Sequence, residues 1–165
     1  MQPNARSGRI AAVQAHPLAE LLQCPPGTDD LLNGAAVCIE VDAGKAVFRQ
    51  AENCRGLYLV VSGTFLRRAE RLETRLTLGM ARSGDLVELA AALGDGRHTY
   101  TLSSQTEGSV LLLPSAALNQ AFAAYPPLRM RLLEELAREV SRGYDASCQS
   151  RAPKARGRSQ GQPAS

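Results

Sequence analysis

Between residues 37 and 114 the chain is a succession of short runs rich in β-branched and apolar residues. They are VCIEV (37–41), AVFRQ (46–50), LYLVVSG (57–63), TFLRRAE (64–70), TRLTLGMA (74–81), TYTLSSQ (99–105) and SVLLLP (109–114). Turn residues punctuate them every eight to twelve positions, with Asp42-Ala43-Gly44 and Ser62-Gly63 as tight connections. That rhythm predicts a mainly β domain, an antiparallel sandwich or barrel of small strands.

Helical patterns flank the β section and interrupt it once. Residues 9–23 read as one or two short helical pieces, because Pro17 breaks the run and suits the first turn of a second piece. Cys24-Pro25-Pro26-Gly27 ends helix there. Within the β section, LVELAAAL (86–93) reads as a turn or two of helix between Gly84-Asp85 and Gly94-Asp95-Gly96. After residue 114 a helix is expected with Ser115 as its N-cap. The next segment, PPLRMRLLEELAREVSRGY, opens with proline and places Leu128, Leu132, Leu136, Ala137 and Val140 on one face, with Gly143 as its expected end. Residues 1–8 and the basic, Ser/Gly/Gln/Pro-rich segment 145–165 read as disordered, which leaves one folded domain over 9–144.

Composition narrows the function classes. An apolar fraction of 44% without tryptophan gives a core made mainly of Val, Leu and Ala. The net charge of +3 is concentrated at the end, where the last fifteen residues carry Arg151, Lys154, Arg156 and Arg158 and no acid. The nearly neutral body argues against a broad nucleic-acid-binding face. No window approaches about 18 consecutive apolar residues, so no membrane span is expected, and the N-terminus lacks a signal-peptide core. A cytoplasmic location is the expectation. Cys24, Cys38, Cys54 and Cys148 lie far apart with no C-x-x-C pair, and the chain has two histidines. Isolated reduced thiols are expected and no metal site, although distant cysteines can still meet in space. No grouping of nucleophile and base supports an enzyme.

The chemistry concentrates in residues 84–99, GDLVELAAALGDGRHT. Glu88 stands ten residues before the basic-polar pair His98-Thr99, with small residues and a Gly-Asp-Gly turn between. A loop of that kind can wrap a phosphate and a sugar hydroxyl together: N–H groups and a basic side chain suit the anion, and a carboxylate accepts a hydroxyl proton. Other readings stand beside this one. Glu88 can satisfy helix N-terminal amides or pair with Arg97, Arg97 and His98 can be solvated turn residues, and Thr99 can be an ordinary strand residue.

Taken in order, these pieces resemble the cyclic-nucleotide-binding domain of bacterial Crp/Fnr-type regulators, over roughly residues 18–144. VFRQAENCRGLYLVVSG matches the family's strand–turn–strand signature through Glu52, Leu57, Tyr58 and Gly63, with Ala51 where the family usually has Gly. Gly84-Asp85 matches the opening of the phosphate-binding cassette, Glu88-Leu89 its Glu-Leu, and Pro126 the start of the long helix. The resemblance implies a double-stranded β-helix, a jelly-roll-like β-roll, with flanking helices. It implies a cyclic AMP or cyclic GMP ligand whose ribose lies on Glu88 and whose phosphate lies on Thr99, the short-helix amides and an arginine. The arginine position falls on His98, with Arg97 one residue earlier. Val87 stands where a Gly usually precedes the Glu, and Gly143 and Tyr144 fall where polar residues of the long helix meet the base. The ligand-binding set is thus Gly84, Val87, Glu88, Leu89, Arg97, His98, Thr99 and Tyr144.

The resemblance also bears on partners. In the family the long helix pairs two subunits, so Leu128, Leu132, Leu136 and Val140 are expected to form a homodimer face; capping the β section is their other reading. Family transcription factors continue into a winged helix-turn-helix. Only about twenty residues follow Tyr144, and sequence-specific DNA binding is not expected. The leading expectation is a stand-alone regulatory sensor with a degenerate cassette and no cofactor beyond its ligand. The alternatives are a ligand-free dimerisation or protein-interaction module of the same fold, and a truncated Crp/Fnr-type regulator.

Overall fold

The structure, a computed structural model, describes the backbone of residues 16–150 and most side chains from 18 to 142. The expectations of disorder over 1–8 and 151–165, and of helix over 9–15, lie outside the described residues.

Eight strands form two antiparallel sheets. One sheet runs β1 (Val37–Val41), β8 (Gly108–Pro114), β3 (Gly56–Ser62), β6 (Leu86–Val87); the other runs β2 (Ala46–Phe48), β7 (Thr101–Ser104), β4 (Phe65–Arg71), β5 (Thr74–Ala81). The expected mainly β roll with flanking helices is the observed architecture.

Alternation along the strands explains how the two sheets pack. Tyr58, Val60, Val110 and Leu112 face inward and meet Phe48, Phe65, Val87, Tyr100 and Leu102 between the sheets. Their neighbours Leu57, Leu59, Leu111 and Leu113 face the other way, against a layer of helices. The central strands β8 and β3 are therefore covered on both faces, which is why LYLVV and SVLLLP read as continuous apolar runs rather than alternating ones.

The helical layer comprises α1 (His16–Leu22), α2 (Pro26–Ala35), α3 (Leu89–Leu93), α4 (Ser115–Ala124) and α5 (Pro126–Ser150). Leu18 and Leu22 of α1, Leu32 of α2, Leu89 of α3, Leu118 of α4 and Leu128 and Leu132 of α5 join one core against the sheet.

Several local expectations are corrected. The Pro25-Pro26 pair does not simply end a helix; Pro26 occupies the first position of α2, where a missing N–H costs nothing. Leu86–Leu93 is not one helix: Leu86 and Val87 pair with Leu59 and Tyr58 as a strand before α3 begins. Ser115 is the first helical residue rather than the cap, and its hydroxyl donates to the carbonyl of Arg55 at 3.1 Å. The long helix passes Gly143 and continues to Ser150, so residues 145–150, expected to be disordered, are helical.

Candidate functional site

The break between β6 and α3 falls on Glu88, whose backbone is left-handed (φ 69°, ψ 34°). A non-glycine residue there stores of order 1–3 kcal/mol of strain and needs surroundings that hold it. Four hydrogen bonds do so. The Glu88 N–H donates to the Tyr100 hydroxyl at 3.0 Å. Its carboxylate accepts the Thr99 N–H at 3.0 Å and the Thr99 hydroxyl at 2.6 Å. Oε2 also lies 2.8 Å from Nδ1 of His98. Both partners of that last pair are buried, Glu88 at 2% exposure and His98 at 3%. The Phe48 ring stacks on the imidazole, with centroids 3.8 Å apart and planes 5° apart.

His98 is fixed from behind as well. Its N–H donates to the carbonyl of Glu52, its carbonyl accepts the N–H of Ala51, and the Cys54 N–H donates to Gly96. Segment 51–54 is thereby laced to 96–98. Ala51 itself is left-handed at φ 68°, the conformation for which the family's usual Gly is suited. Arg97 is exposed and turns back to this segment, its guanidinium donating to the Ala51 carbonyl at 3.2 Å.

A cleft of about 1190 Å³ opens between the cassette, strands β4 and β5, and α5. Gly84, Glu88, Leu89 and Thr99 line it; Val87, Arg97 and His98 do not. Val87 is wholly buried between the sheets, so it crowds the core rather than a ligand. Of the residues expected to contact a ligand, Thr99 is the exposed polar one in the cleft. Tyr144 lies on α5, its side chain outside the described residues.

Arg67 supplies what the sequence reading missed. It projects from β4 into the cleft, over the Tyr100 ring at 5.9 Å. Its Nε is buried and, among the described residues, has no hydrogen-bond partner. One terminal nitrogen lies 3.9 Å from Glu139 of α5. The alternation of β4 could have placed Arg67 on a covered face, but nothing local to TFLRRAE says that Glu139, on a helix 72 residues further along the chain, meets it. Burial pushes the Glu139 carboxyl above its usual range, against the opposing pull of Arg67 and Arg142. Burial and the nearby Glu88 charge also push the Tyr100 hydroxyl well up, so it stays protonated.

The leucine stripe of α5 divides. Leu128 and Leu132 are buried in this chain's own core, Leu136 packs against that core, and Val140 is 64% exposed. The first two are unavailable to a second subunit for that reason. Arg131 secures the helix by donating to the carbonyls of Leu22 and Gln23 at the end of α1.

Spacing alone separates the cysteines, yet folding brings Cys54 to Glu88 and His98, with ligand-type atoms all within 4.8 Å of one another. Burial raises the Cys54 thiol above its ordinary value, with Glu88 adding to the effect.

A family model for the cyclic nucleotide-binding domain matches residues 38–125, just over half of the sequence. The chain belongs to the cyclic nucleotide-binding domain family. The fold of this cyclic nucleotide-binding domain is shared with the sensor domain of the transcriptional regulator DNR from Pseudomonas aeruginosa. That likeness has a TM-score of 0.65 at 21% identity, over 81% of this chain and 89% of the other. A cyclic nucleotide-binding domain from Methylobacillus flagellatus superposes with a TM-score of 0.73 at 14% identity, over 86% of each chain. In sequence, patatin-like phospholipase domain-containing protein 7 of Mus musculus is 29% identical over 104 residues, 62% of this chain. That stretch spans only 8% of the mouse protein. No described helix is long and apolar enough to cross a membrane.

Proposed function

We propose that this domain is a regulatory sensor that takes a cyclic nucleotide or related phosphorylated ligand in the cleft between the cassette and α5. The observation that carries this reading is Arg67, which lines that cleft while its buried Nε has no hydrogen-bond partner among the described residues. A guanidinium supplies paired, charge-assisted bonds to a phosphate, and Arg67 is already partly desolvated and oriented by Tyr100. Thr99 lines the same cleft from the cassette side, and its hydroxyl turns to a ligand only by giving up its bond to Glu88.

The proposed output is a shift of α5. Glu139 of that helix is the present neighbour of Arg67, so an anion that engages Arg67 competes with the helix for it. Exposed Met130 and Val140 on the same helix are the proposed contacts of a homodimer. The domain acts by binding, not by catalysis.

A second reading is favoured by one observation. The Glu88 carboxylate is buried and already accepts three hydrogen bonds within the protein, so a ribose hydroxyl reaches it only if Thr99 or the surrounding side chains move. On this reading the chain is a ligand-free interaction module. Melting curves of the protein with cyclic AMP, cyclic GMP and cyclic di-GMP separate the two, because a ligand specific for the folded state raises Tm. A rise supports the sensor. No rise with any of them at millimolar concentration leaves the interaction module.

A further inference from the structure

The cleft reading leaves Cys54 and His98 unused, although they are held beside Glu88 with unusual economy of motion. The laced segments 51–54 and 96–98 fix both backbones. The Phe48 ring fixes the imidazole plane. Thr99 fixes the carboxylate through both oxygens. Three donors of different chemistry, a thiol sulfur, an imidazole nitrogen and a carboxylate oxygen, thus converge from three different stretches of chain within 4.8 Å.

We propose that Cys54, Glu88 and His98 form a three-ligand site for a divalent cation of the zinc class. Thiolate and imidazole donors select borderline cations such as zinc or cobalt(II) and disfavour magnesium and calcium, which require oxygen. Metal–ligand bonds of about 2.0–2.3 Å in a tetrahedron place neighbouring ligand atoms roughly 3.3–3.6 Å apart. The His98–Glu88 separation of 2.8 Å widens slightly to admit the ion, and the cluster otherwise contracts within its 4.8 Å span. On binding, the Cys54 thiol gives up its proton to solvent and the sulfur exchanges its hydrogen bond to the Gly56 carbonyl for the metal. Cys54 is half-buried while Glu88 and His98 are sealed, so the ion enters from the Cys54 side and its fourth position faces that opening. Orientation of Glu88 by Thr99 is the kind of supporting hydrogen bond that metal carboxylates use.

This site shares Glu88 with the lining of the cleft, but its occupation by a metal does not require the cleft ligand. Its test is titration of the reduced full chain with cobalt(II), then displacement by zinc. The expected result is one cobalt per chain, with near-ultraviolet thiolate-to-cobalt absorption and the visible bands of a tetrahedral ion. Cys54→Ser, which conserves shape, abolishes the ultraviolet band and weakens zinc binding at least about tenfold, whereas Cys38→Ser changes neither. Absence of the thiolate band in the parent chain, its survival in Cys54→Ser, or its loss in Cys38→Ser each overturns the assignment. The melting temperature of each variant without metal checks that it is folded.

Discussion

His98 Nδ1 sits 2.8 Å from Glu88 Oε2 in a site where both side chains are all but inaccessible. The cassette carboxylate, which the resemblance places on a ribose, is thus tied to the residue that stands at the arginine position. Removing that arginine leaves a compact ring that can be buried and can bond the carboxylate from inside. On the proposed reading, an anion contact falls instead to Arg67 of β4.

Glu88→Gln tests how much the cassette depends on this pair. A glutamine keeps one acceptor oxygen for the Thr99 N–H and His98, but its NH2 faces the Thr99 hydroxyl, which must turn from donor to acceptor, and the charge-assisted character of all three bonds is lost. The expected loss is about 1–3 kcal/mol, read as a lower denaturant midpoint with an unchanged slope. An unchanged midpoint contradicts the description of Glu88 as the holder of its own strained backbone.

Ala51 carries strain at a position where its hydrogen bonds are made by the backbone alone, so a glycine keeps them. At φ 68° an alanine costs roughly 1–2 kcal/mol in the left-handed region, part of which a glycine returns as unfolded-state entropy. Ala51→Gly is expected to stabilise the domain by up to about 1 kcal/mol. A lower Tm in the variant overturns this account of the turn.

The Arg67–Glu139 contact gives a pH dependence with a definite sign. Burial raises the folded-state Glu139 carboxyl above its ordinary value. Its contribution to stability is therefore present below the unfolded value and lost as pH rises through the folded one. Glu139→Gln is accordingly at least as stable as the parent near neutral pH. Protonation also releases Arg67, so binding of an anionic ligand strengthens as pH falls toward the upper edge of the carboxylate range. In Glu139→Gln that pH dependence flattens and affinity rises. Binding that weakens on acidification is the contrary result.

The two ends of the α5 stripe separate folding from association. Leu132→Asp places a charge in the core and is expected to unfold the domain or cost more than about 3 kcal/mol. Val140→Asp leaves the fold intact, and sedimentation is expected to show a monomer where the parent dimerises. A dimer that survives Val140→Asp removes this end of α5 from the interface.

Much of the fold is legible in the chain because its strands are short β-branched and apolar runs and its turns carry Gly and Asp at regular intervals. Leu86 and Val87 read as helix in sequence because apolar runs of that length fit either state; their pairing with Leu59 and Tyr58 makes them strand. Proximity along the chain made Arg97 an attractive phosphate ligand, yet its hydrogen bond to Ala51 turns it away. Arg67 lies seventeen residues before Gly84, and only sheet register and the return of α5 bring it to the cassette. The convergence of Cys54 on Glu88 and His98 is likewise a product of tertiary pairing and has no spacing signal.

The most direct test of the proposed sensor is calorimetric titration of cyclic AMP, cyclic GMP and cyclic di-GMP into the parent chain, Arg67→Ala and Arg97→Ala. The account predicts saturable binding of at least one nucleotide, lost or weakened at least about tenfold in Arg67→Ala, consistent with loss of a charge-assisted contact. Arg97→Ala binds like the parent. No heat with any of the three nucleotides, or a loss confined to Arg97→Ala, contradicts it.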